Sequence, residues 1–316
     1  MNKKIIATMI TVLALMGCKS TTTVKAATTT PADKQNTVQE ANKTDTAKQD
    51  DNTKQNSAAS DSETTTTAKP KPQKQGWVVN GKKTYYYKSG QKIKGATTIG
   101  KSHYLFDKNG SMLTGVRKTP HHATYSYYGT NGQRREVSTS TKRAYYWIEN
   151  GKITGVKNNA KVISQRPELP TGCEMTAVTM MLNFAGVKVS KFTVAKKTPR
   201  SSNPDKGFIG SPYKEYPGGY WVTPNGIKGV VKHYLGKAKV MTGSSLAAVK
   251  NKLLHSHLVV AWVKDVDGFS NHALALTGYH DGQIFYNDPW TGKKAAMSEN
   301  EFINHWRGDG LRALSY

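Results

Sequence analysis

The chain has 316 residues, a formal net charge of +25 and only two cysteines. Two cysteines exclude a disulfide-stabilised framework, and one cysteine with scattered histidines is a poor zinc site, so we expect no metal and no cofactor. The charge is uneven, because residues 76–158 hold 15 basic against 3 acidic residues, a charge of +12. Such an excess indicates attraction to polyanions.

The N-terminus has the pattern of an export signal. Two lysines precede an apolar run over residues 5–15, which is shorter than the ~20 residues that span a bilayer. The sequence predicts a signal peptide over residues 1–26, cleaved either at a lipobox that ends at Cys18 or after Ala26. No later segment is apolar enough to span a membrane. We therefore expect an extracellular protein associated with the cell surface or cell wall, with a lipid anchor if the lipobox is used.

Residues 27–75 are mostly Thr, Lys, Gln, Ser, Ala and Asp, with no aromatic residue. Such a segment cannot bury enough apolar surface to offset the entropy of ordering it. The composition predicts a disordered linker between the signal peptide and the folded part of the chain.

Aromatic segments followed by glycine turns recur four times in residues 76–158. The turn glycines stand at 90, 110, 132 and 151, and the third unit lacks a second glycine that the others keep. Each unit predicts a β-hairpin too small to fold alone and stable by stacking. The pattern resembles the choline-binding and glucan-binding repeats of Gram-positive surface proteins, in which aromatic residues cage a cation or stack on sugar rings. Alternatively, these aromatic residues only pack one hairpin on the next. The candidates for contact with a cell-wall polymer, a teichoic acid or a glycan rather than nucleic acid, are Trp77, Tyr86, Tyr104, Phe106, Tyr146 and Trp147.

Residues 159–316 have the size of one domain, and Cys173 is their only cysteine. Cys173 directly precedes a near-continuous apolar pattern at helical spacing over residues 174–185, which predicts a central buried helix. A thiol at a helix N-terminus lies at the positive end of the helix dipole, which favours thiolate over thiol. Cys173 is therefore the candidate nucleophile. Later strands that follow this helix predict an α+β fold.

A cysteine nucleophile needs a base and a group that orients the base. His272 is the candidate base, because it begins a predicted strand of small and large apolar residues where an exposed histidine is unexpected. Asp288, at the end of the next predicted strand, is the candidate orienting group. Asp265 and Asp267 are rivals, and the loop they share with Gly268 makes them more typical of turn residues.

The turn between these two strands tests the assignment. A three-residue loop at His280-Asp281-Gly282 would pair Tyr279 with Gln283 and place Asp288 opposite Leu274, on the face of His272. A two-residue turn would place Asp288 opposite Ala275, on the other face. We therefore predict the three-residue loop.

The segments around the three candidates are Gln165 to Glu174, Asn271-His272-Ala273 and Asn287-Asp288-Pro289. They resemble the papain-like peptidases akin to the bacteriocin-processing, double-glycine-leader group, family thirty-nine of the cysteine peptidases. The resemblance implies a papain-like fold over residues 159–316, with Cys173 as nucleophile, His272 as general base and acid, Asp288 as orienting group and Gln165 as oxyanion donor. The leader-cleaving enzymes place an Asp before the cysteine and a Gly after it, where this chain has Gly172 and Glu174. A stand-alone branch of the family therefore fits better than leader processing.

These observations predict an exported cysteine peptidase attached to the cell surface that hydrolyses peptide bonds of a peptide or protein substrate. Two alternatives stay open. A peptidoglycan amidase or endopeptidase would also use a cysteine and a histidine, and repeats that bind the wall would suit it. A non-catalytic surface-binding protein would be expected to have lost the cysteine or the histidine, and both are present.

Overall fold

The computed structural model describes residues 73–120 and 122–316. The expected signal peptide, its lipobox at Cys18 and nearly all of the expected linker lie outside these residues. The described part contains five helices and a large antiparallel sheet, so the predicted α+β class is confirmed. No helix in these two ranges is long and apolar enough to cross a membrane.

The repeat region consists of short antiparallel strands. In chain order they are β1 (Gly76–Asn80), β2 (Lys83–Lys88), β3 (Gln91–Lys92), β4 (Gly95–Ile99), β5 (Ser102–Phe106), β6 (Gly115–Lys118), β7 (Tyr125–Tyr128), β8 (Thr139–Ser140), β9 (Ala144–Glu149) and β10 (Lys152–Asn158). All four recurring turn glycines, Gly90, Gly110, Gly132 and Gly151, have φ between 74° and 78°. That left-handed conformation suits glycine, which explains why the repeats keep it at this position.

Aromatic residues hold the first hairpins together. The Trp77 ring centroid lies 5.0 Å from that of Tyr86 and 5.0 Å from that of Tyr104. Tyr104 and Phe106 are 7% and 2% exposed, whereas Trp77 is 43% exposed. The expectation that Tyr104 and Phe106 contact a wall polymer is therefore wrong, because packing between hairpins covers them.

The C-terminal part, residues 159–316, continues the chain after β10. Its elements are α1 (Cys173–Phe184), α2 (Lys191–Lys197), α3 (Pro224–Leu235), β11 (Lys239–Val240), α4 (Leu246–Leu254), β12 (Val259–Val263), β13 (His272–His280), β14 (Gln283–Asp288), β15 (Lys293–Ser298), α5 (Glu299–Gly308) and β16 (Ala313–Ser315).

The last repeat hairpin belongs to the same sheet as the strands of residues 159–316. Along the sheet the strand order is β11-β16-β12-β13-β10-β9-β8, and β14 and β15 extend from β13. One edge of β13 pairs with β12 through its first half and with β10 through Gly278 and Tyr279. The buried side chain of Asn158 donates to the carbonyl oxygens of Leu253 and Thr277, both at 2.9 Å. The boundary expected between residues 158 and 159 thus separates β10 from the strand with which it pairs.

Two further wall-polymer candidates lie in this shared sheet. Tyr146 is 4% exposed, and its ring stacks on Tyr127. The ring of Trp147 lies parallel to that of His280, with centroids 4.2 Å apart. Packing thus covers most of Tyr146, which keeps an edge on a cleft that Arg117, Tyr127 and Arg143 also line. Trp147 contacts the catalytic sheet.

Two apolar layers sandwich the sheet. On one face α1, α2 and α3 pack against residues such as Val260, Trp262 and Ala273. On the other face α4 and α5 pack against Val259, Leu274 and neighbours. Ten of the twelve residues of α1 are buried, as the apolar pattern predicts, and this central position holds the first residue of the helix rigidly.

The turn between β13 and β14 differs from the prediction. His280 pairs with Gln283, so Asp281 and Gly282 form a two-residue turn with φ of 47° and 69°. The predicted three-residue loop is wrong. Between Leu276 and Gly278 the register shifts, because β13 has one residue more than β14 there. Ala275 therefore pairs with Asn287, the same pairing that a three-residue loop would have given. Continued by one residue, this register places Asp288 opposite Leu274, on the side that the wrong loop had predicted.

Candidate active site

Gly172 forms the N-cap of α1, and Cys173 is the first residue of the helix. A Cβ on Gly172 would lie 2.7 Å from the Cβ of Leu169, so only glycine fits without a shift. The preceding residue, Thr171, is bound to the segment over residues 211–214: its backbone N–H donates to Pro212 and its hydroxyl to Lys214 at 2.9 Å. These contacts fix the backbone on the N-terminal side of Cys173.

The Cys173 thiol is buried beside Glu174. Its Sγ lies 3.3 Å from Oε2 of Glu174 and accepts from the backbone N–H of Ala273, the residue after His272. Burial, followed by the charge and hydrogen bond of Glu174, raises the pKa of Cys173 well above its usual range. The expectation of a lowered thiol pKa from the helix dipole alone is wrong, because desolvation and the adjacent carboxyl outweigh the dipole.

Glu174 is fully buried and bonded at both of its oxygens. Oε1 accepts from the backbone N–H of Val222 at 2.9 Å, while Oε2 faces Cys173. Burial raises the pKa of Glu174 to about 7. In the sequence, Glu174 stands out only as a departure from the leader-cleaving enzymes. An acidic residue inside an otherwise apolar helix pattern was the signal that it has a buried partner.

The structure brings His272 and Asp288 together. Nε2 of His272 lies 3.0 Å from Oδ1 of Asp288, and both side chains are almost fully buried. Asp288 also accepts from the Trp290 backbone N–H at 2.7 Å and from the Thr291 hydroxyl at 2.6 Å. Although burial opposes ionisation, the hydrogen bonds from His272 and Thr291 hold the pKa of Asp288 below its usual range. Because Nε2 is bound to a carboxylate, Nδ1 is the nitrogen left for proton transfer.

Residues 157–313 match the model of the peptidase C39 like family. The uncharacterized protein YvpB of Bacillus subtilis is 30% identical over 179 residues, which cover 47% of this chain and 70% of that protein. The chain belongs to the peptidase C39 like family.

Two solved structures are similar to parts of the chain. A structure described as that of a C39-like peptidase from Bacillus anthracis is 26% identical, with a TM-score of 0.47, and the match covers 50% of this chain and 94% of that one. The choline binding domain of Spr1274 from Streptococcus pneumoniae is 25% identical, with a TM-score of 0.22, and the match covers 25% of this chain and 94% of that one.

Gln165 lies at the edge of the C39-like site and is 2% exposed. Its backbone N–H donates to Pro289, which follows Asp288, and its Nε2 donates to the carbonyl oxygen of Pro170 at 2.8 Å. One amide hydrogen of Nε2 therefore has a partner, whereas the buried Oε1 has none among the described residues. The side chain is held between the segment that precedes Cys173 and the segment that follows Asp288.

Asp267, which the sequence analysis classed as a turn residue, also reaches His272. Its Oδ2 lies 3.7 Å from Nε2 of His272, and its carboxyl is hydrogen-bonded to Asp288. Phe269 in the same loop stacks on the imidazole, with ring centroids 5.3 Å apart. The loop between β12 and β13 thus packs against the His272 imidazole. Asp265, the other rival orienting group, is exposed beside Lys264.

Within residues 73–120 and 122–316, one group of acidic and histidine side chains has ligand atoms close enough for a metal. It consists of Asp267, His272 and Asp288, whose ligand atoms lie within 4.8 Å of one another. Hydrogen bonds among the three already account for this proximity. The arrangement is therefore a buried imidazole between two carboxyls, on the strand whose Ala273 N–H bonds to the Cys173 thiol. Nucleophilic catalysis uses side chains of these types.

Proposed function

We propose that the protein is an exported, cell-surface-attached cysteine peptidase of the C39-like family. The observation that carries this proposal is the buried His272–Asp288 pair, on the strand whose next residue, Ala273, donates its backbone N–H to the Cys173 thiol. Membership of the family supports hydrolysis of a peptide bond. The resemblance of its first residues to an export signal supports the location.

The proposed mechanism is acyl transfer. The Cys173 thiol gives its proton to Nδ1 of His272, and the resulting thiolate attacks a peptide carbonyl carbon. The tetrahedral oxyanion accepts from the free backbone N–H of Cys173 at the helix start and from Nε2 of Gln165. His272 then protonates the leaving amine, and a thioester forms. Water, deprotonated by His272, attacks the thioester and releases the acid and the thiol.

Zymography on casein and on purified peptidoglycan tests this function. We expect the purified protein to clear casein and iodoacetamide to abolish the clearing. Clearing of peptidoglycan alone would favour the amidase or endopeptidase instead. If neither substrate is cleared after correct folding is verified, the non-catalytic binding function is favoured.

The ionisation of Glu174 should make the reactivity of the Cys173 thiol depend on pH. Above about pH 7 its carboxyl is ionised and opposes the formation of a thiolate 3.3 Å away. Replacing Glu174 by Gln keeps an acceptor for the Val222 N–H and removes the charge. We therefore expect Glu174→Gln to shift the alkylation profile of Cys173 with iodoacetamide down by about 1–2 pH units.

Glu168→Gln is the matched control, since Glu168 lies near the same helix but is exposed and paired with Lys191 at 2.7 Å. In Glu168→Gln, Cys173 should be alkylated with the same pH profile as in the unmodified protein. An unchanged profile in Glu174→Gln would contradict the role of the carboxyl.

We further propose that the repeats bind an anionic cell-wall polymer, either a teichoic acid or a glycan. The charge of +12 in residues 76–158 and the exposed face of Trp77 support this proposal. Of the six aromatic candidates, Trp77 and the half-buried Tyr86 keep accessible ring surface away from the catalytic sheet.

Replacing Trp77 by Ala should weaken binding to isolated cell walls by about 3- to 30-fold, the range of one aromatic contact with a cation or sugar. The measurement is co-sedimentation with purified walls, in a Cys173→Ala background that prevents digestion. Val79→Ala is the control, because Val79 lies on the same strand and is 72% exposed without an aromatic ring. Equal binding by both variants would count against the aromatic site.

A further inference from the structure

A strained loop brings a second carboxyl to the His272–Asp288 pair. Asp267 has φ of 53° and Gly268 has φ of 81°, and the loop is closed by a hydrogen bond from the Asp265 N–H to the Phe269 carbonyl oxygen at 2.8 Å. Non-glycine residues adopt this left-handed conformation rarely, and when they do the surroundings hold them there. The result of the conformation is the 3.7 Å approach of Asp267 to Nε2 of His272.

The carboxyl of Asp267 also contacts that of Asp288, since the ligand atoms of the two residues lie within 4.8 Å of each other. Asp288 already accepts from His272, from the Trp290 backbone and from Thr291, so its remaining contact with Asp267 requires a proton between the two carboxyls. Burial and then Asp288 raise the pKa of Asp267 to about 6, which assigns the shared proton to Asp267. Two carboxyls held this closely do not ionise together as isolated groups do.

The other ionisable groups around Asp267 do not neutralise it. Tyr286, on β14, stays protonated because burial and the nearby acids raise its pKa to about 12. Lys264 lies 4.0 Å from Asp265, the exposed acid of the same loop. Within the described ranges His272 is the cationic partner within salt-bridge distance of Asp267.

We propose that Asp267 is a positioning residue that sets the protonation of His272 through the proton it shares with Asp288. This inference rests on the proposed function of His272 as general base. With the proton present, Asp267 competes with His272 for the Asp288 carboxylate. Once the proton leaves to solvent, two carboxylates face the imidazole and stabilise the imidazolium that forms when Cys173 becomes a thiolate. The reactivity of Cys173 should therefore rise as the pH passes through about 6.

The test compares Asp267→Asn with the unmodified protein and with Asp265→Asn. Asparagine tolerates the left-handed conformation and donates to Asp288 as the neutral carboxyl does. Asp265 has φ of 57° in the same loop, but its side chain is 70% exposed, so Asp265→Asn is the matched control. Asp267→Gly, which also tolerates this conformation, serves as a second variant.

The measurement is the rate of Cys173 alkylation by iodoacetamide between pH 4.5 and 8. At each pH the rate for the unmodified protein is divided by the rate for the variant. The effect of Glu174 is common to both and cancels in this ratio. For Asp267→Asn and Asp267→Gly we expect a ratio near one at pH 5 that rises to about 5- to 10-fold at pH 7.5. For Asp265→Asn the ratio should stay near one throughout.

A constant ratio for both Asp267 variants, or an equal rise for Asp265→Asn, would overturn the inference. Alkylation needs no substrate, so the two proposals fail separately. Peptide hydrolysis with a constant ratio refutes the role of Asp267 alone. A rising ratio without hydrolysis of any peptide substrate refutes the peptidase function and leaves the proton sharing in place.

Discussion

Cys173→Ala is expected to abolish peptide hydrolysis, with a fall in kcat/KM of at least about 10⁴-fold, because no other group can form the thioester. His272→Ala should lower kcat/KM by about 10²- to 10⁴-fold through loss of proton transfer. Asp288→Asn should lower kcat chiefly, since it disturbs the hydrogen bond that holds Nε2 of His272 and leaves Nδ1 for the proposed proton transfer. The measurement is steady-state hydrolysis of a synthetic peptide that spans the casein bond cut most readily.

A loss of activity in these variants must be distinguished from a loss of folding. Cys173 is 8% exposed, and alanine removes only Sγ, so the variant should unfold within a few degrees of the unmodified protein. His233→Ala is the control for the histidine, since His233 is exposed on α3 away from the site. Hydrolysis by Cys173→Ala at the unmodified rate would remove the nucleophile from the proposal.

A truncated chain that begins at Asn159 is expected not to fold. It lacks β10, so the Leu253 and Thr277 carbonyl oxygens lose the Asn158 side chain, at about 1–3 kcal/mol each. It also loses the buried side chains of Ile148 and Val156, worth about 1.5–3 kcal/mol each. These losses together approach the whole stability of a typical domain, about 5–15 kcal/mol.

The matched chain begins at Thr114 and keeps β6 to β10 while losing the first two hairpins. We expect it to show a cooperative thermal transition by circular dichroism, and the chain from Asn159 to show none. The hairpin of β6 and β7 is retained because Tyr125 accepts from Asn251 at 2.8 Å and Tyr127 stacks on Tyr146. A cooperative transition in both chains would show that the catalytic sheet closes without the last repeat.

Much of the site follows from local patterns in the sequence. The apolar run after Cys173 fixes α1, and consecutive strands bring His272 near Asp288 because sequential antiparallel strands pair. Helix α3 was also readable, since Thr223 caps it, Pro224 begins it and Gly236 ends it in a left-handed conformation, although the sequence analysis passed over these signals.

The sequence did not allow us to predict the contacts that depend on backbone segments far apart in the chain. The position of Asp288 results from two deviations that compensate, a shorter turn at Asp281 and an extra residue near Thr277. Glu174 is bonded to Val222, which lies 48 residues later in the chain, so its burial depends on how the intervening loop closes. The same applies to Asp267, whose approach to His272 requires a loop conformation that propensity disfavours.

The strand β10 is both the end of the last repeat and a partner of β13, the strand that begins with His272. Successive hairpins are joined in turn, since Arg134 donates to His103 and Met112 donates to Thr84 through their backbones. A polymer bound at Trp77, as proposed, would then be held at a fixed distance from Cys173. Such an enzyme would select the bond it cuts by its distance from the anchored polymer as well as by the residues on either side of that bond.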